Sequence, residues 1–380
     1  MRIAYLSTFY PFRGGIAQFN ASLYREFEKN HEVKAFTFKR QYPDILFPGQ
    51  SQFVTENDKP DIIESERVLD TINPFSYSSS AKRIGKYKPD LLLMKFWMPF
   101  FAPSLGWTAR TLKKKGVRVI SILDNVIPHE RRPGDIALIN FYLNQNHGFI
   151  VMSDAVKNDL LKLKPEAVYT QHPHPLYDHF GVKKDKIEAR KMLNLPENKK
   201  ILLFFGFIRG YKGLDLLLES VSKLPEDYLL VIAGEVYGKF DEYDEQIKRL
   251  GISNKVRKYV RYINDDEVPL FFSAADVCVQ PYKSATQSGI AGISYHFDLP
   301  MIATNVGGLK EMIEPYGTGI IVDKPDVDLL TNAIQEYFMG EKAEKLKENI
   351  KIFKEICSWK NLARAIEELK ERITERPVNE

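Results

Sequence analysis

Cysteine is scarce in this chain, and long apolar runs are missing. The 380 residues include 2 cysteines, Cys278 and Cys357, too few for a disulfide framework and without metal-ligand spacing. No apolar run approaches the roughly 18 residues that a membrane-spanning helix needs, and Met1 to Ser7 reads as a short strand rather than a leader. The sequence therefore predicts a cytoplasmic protein that does not span a membrane.

Charge of one sign is not in large excess either. The formal net charge is +4 at pH 7, which is modest for this length and does not indicate a nucleic-acid partner. Basic residues do flank the aromatic segment Met94 to Trp107, a pattern typical of surfaces that rest on anionic membranes. They are Lys82, Arg83, Lys86, Lys88, Arg110, Lys113, Lys114 and Lys115. The alternative is a buried strand and helix with solvated lysines on either side.

Apolar runs of strand length alternate with amphipathic stretches along the whole chain. In the first half they are Arg2 to Ser7, Glu32 to Thr37, Leu91 to Lys95, Arg118 to Leu123 and Gly148 to Met152; in the second half they are Ile201 to Gly206, Tyr228 to Ala233, Val256 to Tyr259, Val277 to Gln280, Met301 to Thr304 and Gly319 to Val322. This alternation predicts an α/β protein with parallel, doubly wound sheets. A chain of 380 residues is long for one core, so two such domains are expected.

The predicted domains are residues 1–178 and 185–355. Between them, QHPHPLYDHFGVKKDK has no apolar periodicity and reads as a linker, in which His172 and His174 are more typical of structural residues than of ligands. Near the end, one helical face carries Trp359, Leu362, Ile366 and Leu369. We expect a final helix over 359–380 that packs back on the first domain.

Two loops of the second half have the chemistry of a phosphate site. FGFIRGYKG follows an apolar run and contains Arg209 and Lys212, cations that can hold a diphosphate at the mouth of a parallel sheet. PYKSATQSGIAG follows the strand Val277 to Gln280 and leads into a helix, so the backbone N–H groups near Ser288 and Gly289 can approach an anion. Together the loops predict a sugar-nucleotide site.

Four segments together resemble the GT-B glycosyltransferases of family 4, the glycosyl transferases group 1. They are PFRGGIAQF, GFIRGYKGLDLLL, AADVCVQPY and LPMIATNVGGLKEMI. The resemblance implies two Rossmann-like domains facing a central cleft. It also implies transfer of a sugar from a nucleoside diphosphate sugar, with retention of anomeric configuration and without a bound metal or other cofactor.

The resemblance assigns most donor contacts to the second domain. Lys212 matches the family's lysine six positions after Gly206, whereas Phe207 stands where the family commonly has arginine, so Arg209 is expected to take that role. The further donor contacts that it implies are Gly14, Gly15, Glu235, Tyr262, Ile263, Gln287, Ser288, Gly289, Ile290 and Glu311. Two of these residues have a structural alternative. Gly14 could simply form a tight turn, and the Glu311 carboxylate could simply interact favourably with the helix dipole.

This chain departs from the family at its paired acidic motif. Counting back from Pro300, the two glutamates of the family fall on Ala285 and Ile293. The sequence QSG at Gln287 to Gly289 offers an amide, a hydroxyl and a helix N-terminus instead. It resembles a branch of the family that has QSG in this place.

Acceptor-side candidates follow the strand Arg118 to Leu123. They are Asp124, Asn125, His129 and Glu130, with Trp97 just past the preceding strand. Either Asp124 or His129 is expected to accept the proton of the acceptor hydroxyl, and the structural alternative is a carboxylate paired with Arg131 or Arg132. Trp97 fits an acceptor pocket and an aromatic core equally well.

These features predict a hexosyltransferase-type enzyme of glycan or polysaccharide biosynthesis, acting on a saccharide or lipid-linked acceptor and working in the cytoplasm or at the inner membrane face. Two other functions stay open: a non-catalytic partner subunit with the same fold, and a sugar-nucleotide epimerase that uses the donor site without an acceptor. The DVD at Asp326 to Asp328 could be mistaken for a metal motif, but we expect it to cap a helix starting near Leu329.

Overall fold

The computed structural model describes residues 1–43, 52–54, 61–128, 132–176, 180–236, 238–284, 289–306 and 308–375. The chain divides into two compact units. Unit 1 comprises Met1–Pro175 with Cys357–Glu380, and unit 2 comprises Leu176–Ile356. Each unit is built around one parallel sheet.

Unit 1 has a seven-stranded sheet in the order β3-β2-β1-β4-β5-β6-β7. Its strands are β1 (Arg2–Leu6), β2 (Glu32–Arg40), β3 (Ser65–Asp70), β4 (Leu91–Phe96), β5 (Arg118–Leu123), β6 (Gly148–Val151) and β7 (Tyr169–Gln171). Its helices are α1 (Gly15–Phe27), α2 (Pro74–Lys86), α3 (Ala102–Lys113), α4 (Asp135–Leu143), α5 (Asp154–Leu163) and α14 (Trp359–Glu375). All neighbouring strands pair in parallel, as βαβ crossovers require.

Two apolar layers cover the faces of this sheet. One layer includes buried side chains of α2 to α5, such as Leu105 and Ile139, packed on alternate strand residues such as Met94. The other layer is formed by α1 and α14, with Phe19 and Leu369 among its buried members. The inner strands are therefore buried on both faces, which explains why they read as nearly continuous apolar runs in the sequence.

Unit 2 has a six-stranded sheet in the order β10-β9-β8-β11-β12-β13. Its strands are β8 (Lys200–Phe205), β9 (Tyr228–Ala233), β10 (Val256–Tyr259), β11 (Val277–Gln280), β12 (Met301–Thr304) and β13 (Gly319–Val322). Its helices are α6 (Lys186–Met192), α7 (Leu214–Lys223), α8 (Asp241–Arg249), α9 (Val268–Ala274), α10 (Gly289–His296), α11 (Leu309–Ile313), α12 (Val327–Tyr337) and α13 (Lys342–Ile356). Helices α7, α8 and α12 bury one apolar layer against this sheet.

The acidic DVD segment caps a helix, as the sequence predicts. One carboxylate oxygen of Asp326 accepts hydrogen bonds from the backbone N–H groups of Asp328 and Leu329, at 3.0 and 3.1 Å. The helix it begins is α12. These bonds satisfy donors that an uncapped helix leaves open, so the segment needs no metal to explain it.

The aromatic segment beside the basic residues is mostly interior. Phe96 and Phe101 are fully buried, Trp97 and Phe100 are partly buried, and Trp107 on α3 is exposed. For most of the segment the alternative of a buried strand and helix is therefore correct. In the described part of the chain, no helix combines the length and the apolar character needed to cross a membrane.

Candidate active site

The sheet of unit 2 reverses its winding direction between β8 and β11. These strands are neighbours, and the chain continues from β8 towards β9 on one side and from β11 towards β12 on the other. Ligands of doubly wound sheets bind outside the carboxyl ends of the strands at such a switch point. The loop with Arg209 and Lys212 follows β8, and the loop with the QSG sequence follows β11, so the topology brings the two predicted phosphate loops together.

Lys212 is a buried cation without a counter-charge. Only 9% of the residue is exposed, and its ammonium lies 5.2 Å from the ring centroid of Tyr282. It forms no ion pair with any carboxylate in the parts of the chain that the structure describes. Burial, and then the positive charge of Arg209, lower the pKa of Lys212. An anion bound beside this ammonium would supply the charge that the protein does not.

Glycine backbone shapes the space around this lysine. Gly206 has φ +99°, and a β-carbon there would lie 3.4 Å from the Lys212 ammonium and 3.2 Å from Cδ1 of Ile290. Gly213 has φ +72°, and a β-carbon there would lie 2.0 Å from the carbonyl oxygen of Pro281. Both positions need the left-handed backbone that glycine adopts at little cost, and the loops after β8 and β11 can touch only because Gly213 has no side chain.

A hydrogen bond also joins these two loops. The backbone N–H of Lys283 donates to the carbonyl oxygen of Tyr211, at 2.7 Å. The thiol of Cys278, at the base of the site in β11, is fully buried, and burial raises its pKa to about 12. It is therefore not available as a nucleophile.

The other donor-side candidates lie at the same edge of the sheet. Glu235 follows β9, Tyr262 and Ile263 follow β10, and Glu311 lies in α11 after β12. Of these, only Ile263 is buried. Arg209 is exposed and directly precedes the short 3-10 turn that contains Lys212.

The QSG segment is described only from its glycine onward. Gly289 begins α10, Ile290 approaches Gly206, and Ile293 lies within the same helix. Gln287, Ser288 and Ala285 lie outside the described residues.

Unit 1 has its own switch point, between β1 and β4. Gly14 and Gly15 follow β1 and begin α1, and a β-carbon at either would meet no described atom within 4 Å. Trp97 follows β4; its indole N–H donates to the Tyr42 hydroxyl at 2.9 Å, and its ring lies 4.3 Å from that of Phe101. The backbone after β1 therefore has free space beside it among the described atoms, and the aromatic side chain after β4 is held by a hydrogen bond and a ring contact.

Asp124 follows β5 and is paired with a residue that the sequence interpretation missed. Its carboxylate lies 2.5 Å from the ammonium of Lys95 in β4. Arg131, one of the two arginines that the sequence offers as a partner for a carboxylate of this loop, lies outside the described residues. Asn125 is exposed beside it, whereas His129 and Glu130 lie outside the described residues.

Lys95 could have been found from the sequence. It interrupts the run LLLMKF, in which every residue is buried. A lysine in a strand covered on both faces requires a counter-charge close by, and Asp124 stands at the end of a neighbouring strand.

Phe19 and His174 lie next to this ion pair. The Lys95 ammonium lies 3.6 Å from the ring centroid of Phe19, whose edge contacts His174 with ring centroids 5.2 Å apart. Burial, and then the charge of Lys95, lower the pKa of His174, and its Nδ1 donates to the Pro175 carbonyl oxygen at 2.7 Å. His174 is therefore a neutral, structural histidine at pH 7.

Metal ligands are not grouped in the part of the chain that the structure describes. No set of three or more histidine, cysteine, aspartate and glutamate side chains is placed there to hold a metal ion. Arg209 and Lys212 bring two positive charges to the loop that follows β8 in unit 2.

Known proteins resemble this chain in sequence over its second half. Residues 185–353 match the family model described as glycosyl transferases group 1. A D-inositol 3-phosphate glycosyltransferase of Corynebacterium diphtheriae is 25% identical over 200 residues, which cover 49% of this chain and 47% of that protein. The chain thus spans about half the length of the curated relatives it matches.

Solved structures match over almost the whole chain. A glycosyltransferase of Rickettsia africae superposes with a TM-score of 0.69, at 18% identity, over 99% of both chains. Anabaena HepE in complex with UDP superposes with a TM-score of 0.68, at 15% identity, over 98% of this chain and 100% of that one. The chain therefore has the GT-B fold of glycosyltransferases, and its residues 185–353 match the glycosyl transferases group 1.

Proposed function

We propose that this protein is a glycosyltransferase that moves a sugar from a nucleoside diphosphate sugar to a saccharide or lipid-linked acceptor. The observation that carries the proposal is Lys212, a buried ammonium that pairs with no carboxylate among the described residues and lies at the switch point of the unit 2 sheet. Protein interiors rarely hold such a charge. A ligand that brings negative charge, such as a diphosphate, accounts for it.

The reaction that fits this site breaks the bond between the anomeric carbon and the diphosphate. The electron pair leaves with the diphosphate, whose growing negative charge Lys212 and Arg209 stabilise, while the acceptor oxygen bonds to the anomeric carbon. Two cationic side chains can neutralise the charge of the departing diphosphate, which a metal ion neutralises in other enzymes. We therefore propose a metal-independent reaction. We further propose retention of configuration, on the strength of the family resemblance.

UDP-sugars are the first donors to test. Anabaena HepE, which shares the fold, has been crystallised with UDP and with UDP-glucose. At 14 to 15% identity this likeness extends to the fold, so the base and the sugar have to be measured on this chain.

A thermal-shift screen tests the donor site directly. We expect one class of nucleoside diphosphate to raise the apparent melting temperature, because a ligand that binds only the folded state stabilises it by mass action. At 100 times Kd the gain is about 2.7 kcal/mol. Lys212→Ala should abolish the shift, whereas Lys223→Ala, which removes an exposed lysine paired with Asp328 on another surface, should preserve it.

The screen also separates the remaining alternatives. No shift with any nucleotide would contradict the donor site and favour a non-catalytic partner subunit. Conversion of the bound nucleotide sugar into an isomer, without any acceptor, would identify an epimerase. Transfer to a saccharide or lipid-linked acceptor, detected as a product heavier by one sugar, would identify the transferase.

We also propose that α2 and α3 of unit 1 rest on an anionic membrane surface. Phe75 on α2 is 88% exposed and Trp107 on α3 is 43% exposed. The Trp107 indole N–H donates to the Ser78 hydroxyl at 3.0 Å, which joins the two helices, and the Arg110 guanidinium lies 5.8 Å from the Trp107 ring centroid. Exposed aromatic side chains next to cations are the combination that an anionic lipid surface binds.

Liposome flotation tests this surface. We expect the protein to float with vesicles that contain phosphatidylserine and to remain below with pure phosphatidylcholine. Replacing Trp107, Arg110 and Lys114 with serine should remove binding, since each cation near the surface contributes about 1 kcal/mol. A control variant with serine at exposed Lys248 and Arg249 of α8 changes the net charge by two units elsewhere. Unchanged flotation of the triple variant would contradict the proposal.

A further inference from the structure

We propose that Lys95 is a positioning residue that fixes the carboxylate of Asp124, so that its second oxygen accepts a hydrogen bond from the hydroxyl of the acceptor. This inference rests on the proposed glycosyl transfer. It assigns a function to a buried lysine that lies in the middle of the unit 1 sheet, and it changes the role of Asp124 from proton acceptor to orienting group.

The sheet register holds both residues in place. Strands β4 and β5 pair with Phe96 opposite Leu123, and the Asp124 backbone N–H donates to the Phe96 carbonyl oxygen at 2.9 Å. Asp124 is therefore anchored one residue past its strand. The Lys95 side chain is 2% exposed and that of Asp124 is 23% exposed, so the ammonium lies inside while the carboxylate reaches the surface.

Lys95 is buried because its side chain lies on the face of the unit 1 sheet that α1 and α14 cover. Side chains alternate along a strand, so Lys95 points to the same side as Leu91 and Leu93, which belong to the apolar layer under α1 and α14. Phe19 of α1 lies over its ammonium. Lys95 thus occupies a position where packing alone would favour an apolar residue.

An ion pair at such a place is not explained by stability. Withdrawing a lysine and a carboxylate from water costs about as much as their attraction returns, and well-packed apolar replacements are often neutral or stabilising. The Asp124 carboxylate lies at the carboxyl edge of the sheet, near the switch point. An ion pair in this place is instead suited to fixing the orientation of that carboxylate.

The pairing also decides what Asp124 can do. Its Oδ1 already accepts a hydrogen bond from the Lys95 ammonium, which leaves the second oxygen for the acceptor hydroxyl. In this role Asp124 orients the hydroxyl and does not remove its proton. As the bond from the anomeric carbon to the diphosphate breaks, the departing phosphate oxygen gains negative charge and takes that proton, and the acceptor oxygen completes the new bond.

The test compares Lys95→Met with Asp124→Asn and with the double variant, using the UDP-sugar that the wild type turns over. UDP release is measured with and without acceptor. We expect each single variant to lower kcat by about tenfold to a hundredfold through loss of orientation, with KM for the UDP-sugar unchanged. The double variant should be no slower than the slower single variant, because residues that act through one another are not additive.

Lys255→Met is the matched control. Lys255 is also a buried lysine, 8% exposed at the side chain, and its ammonium contacts Glu226 at 3.1 Å and the Leu224 carbonyl oxygen at 2.7 Å. Its loss perturbs stability without touching Asp124, so kcat should stay near the wild-type value. If Asp124→Asn fails to fold because Lys95 is left unpaired, the double variant, which lacks both charges, supplies the comparison.

The outcomes separate this inference from the function on which it rests. Wild-type kcat in Lys95→Met, or additive losses in the double variant, would overturn the role of Lys95 and leave the transferase intact. A rise in KM for the UDP-sugar with unchanged kcat would likewise overturn it. If the wild type releases a nucleoside diphosphate from no sugar nucleotide, whatever its base, the proposed function fails first and this inference fails with it.

Discussion

Replacing Lys212 with alanine is expected to lower kcat by about a hundredfold or more, since a preorganised charge at a developing anion contributes about 3 kcal/mol to the transition state. The folded protein should be at least as stable as the wild type. Lys212 is buried and pairs with no carboxylate in the described part of the chain. Its lowered pKa has burial as the main cause, so the folded state disfavours its charged form and gains nothing from keeping it.

Steady-state rates at saturating donor, together with thermal melts without ligand, test both parts of this prediction. The control is again Lys223→Ala, whose ammonium is already paired with Asp328 at the surface and should change neither quantity. Turnover close to wild type in Lys212→Ala would contradict the proposed mechanism. A lower melting temperature of the ligand-free variant would show that Lys212 supports the fold rather than the ligand.

Loss of the apolar face of α14 is expected to unfold unit 1. Leu362, Ile366, Leu369 and Ile373 are buried in the layer that also contains Phe19 of α1. Exposing four such side chains costs about 1.5–3 kcal/mol each, a sum comparable to the total stability of a typical domain, about 5–15 kcal/mol. A chain that ends at Cys357 should therefore lack a folded unit 1.

A point variant makes the same test within the full chain. Leu369→Ala should lower the free energy of unfolding by about 2–5 kcal/mol. The contact is close, because a β-carbon at Gly148 of β6 would lie 3.2 Å from Leu369 side-chain atoms. Glu368→Ala, at an exposed position of the same helix, should have little effect. Equal unfolding midpoints in urea for the two variants would refute the prediction.

Strand prediction succeeded where both faces of the sheet are covered. The sequence interpretation found eleven strands, and it missed β3 and β7, the two edge strands of the unit 1 sheet. The sequence of β3 is SERVLD, with two buried residues, and that of β7 is YTQ, with none. Both segments therefore lack the apolar run by which the inner strands of this sheet were identified.

The sequence proposes candidate site residues where their chemistry is local. Arg209 and Lys212 are proposed because cations after a strand and before a helix are typical of a phosphate-binding loop. Lys95 was missed because its ion-pair partner, Asp124, is 29 residues away in sequence. The same holds for Gly213, whose necessity comes from contact with Pro281 in another loop.

The sequence by itself determined the class of fold, the order of the inner strands along the chain, and the loops that carry charge. These follow from apolar periodicity and from residue chemistry, which act over a few neighbouring positions. Only the tertiary structure decided which charges are paired. Lys95 and Lys212 are both buried lysines near the carboxyl edge of a sheet, but one has a carboxylate 2.5 Å away and the other has a tyrosine ring. That difference arises from strand order and register, because the burial of a lysine and the presence of a counter-charge are set by neighbours distant in sequence.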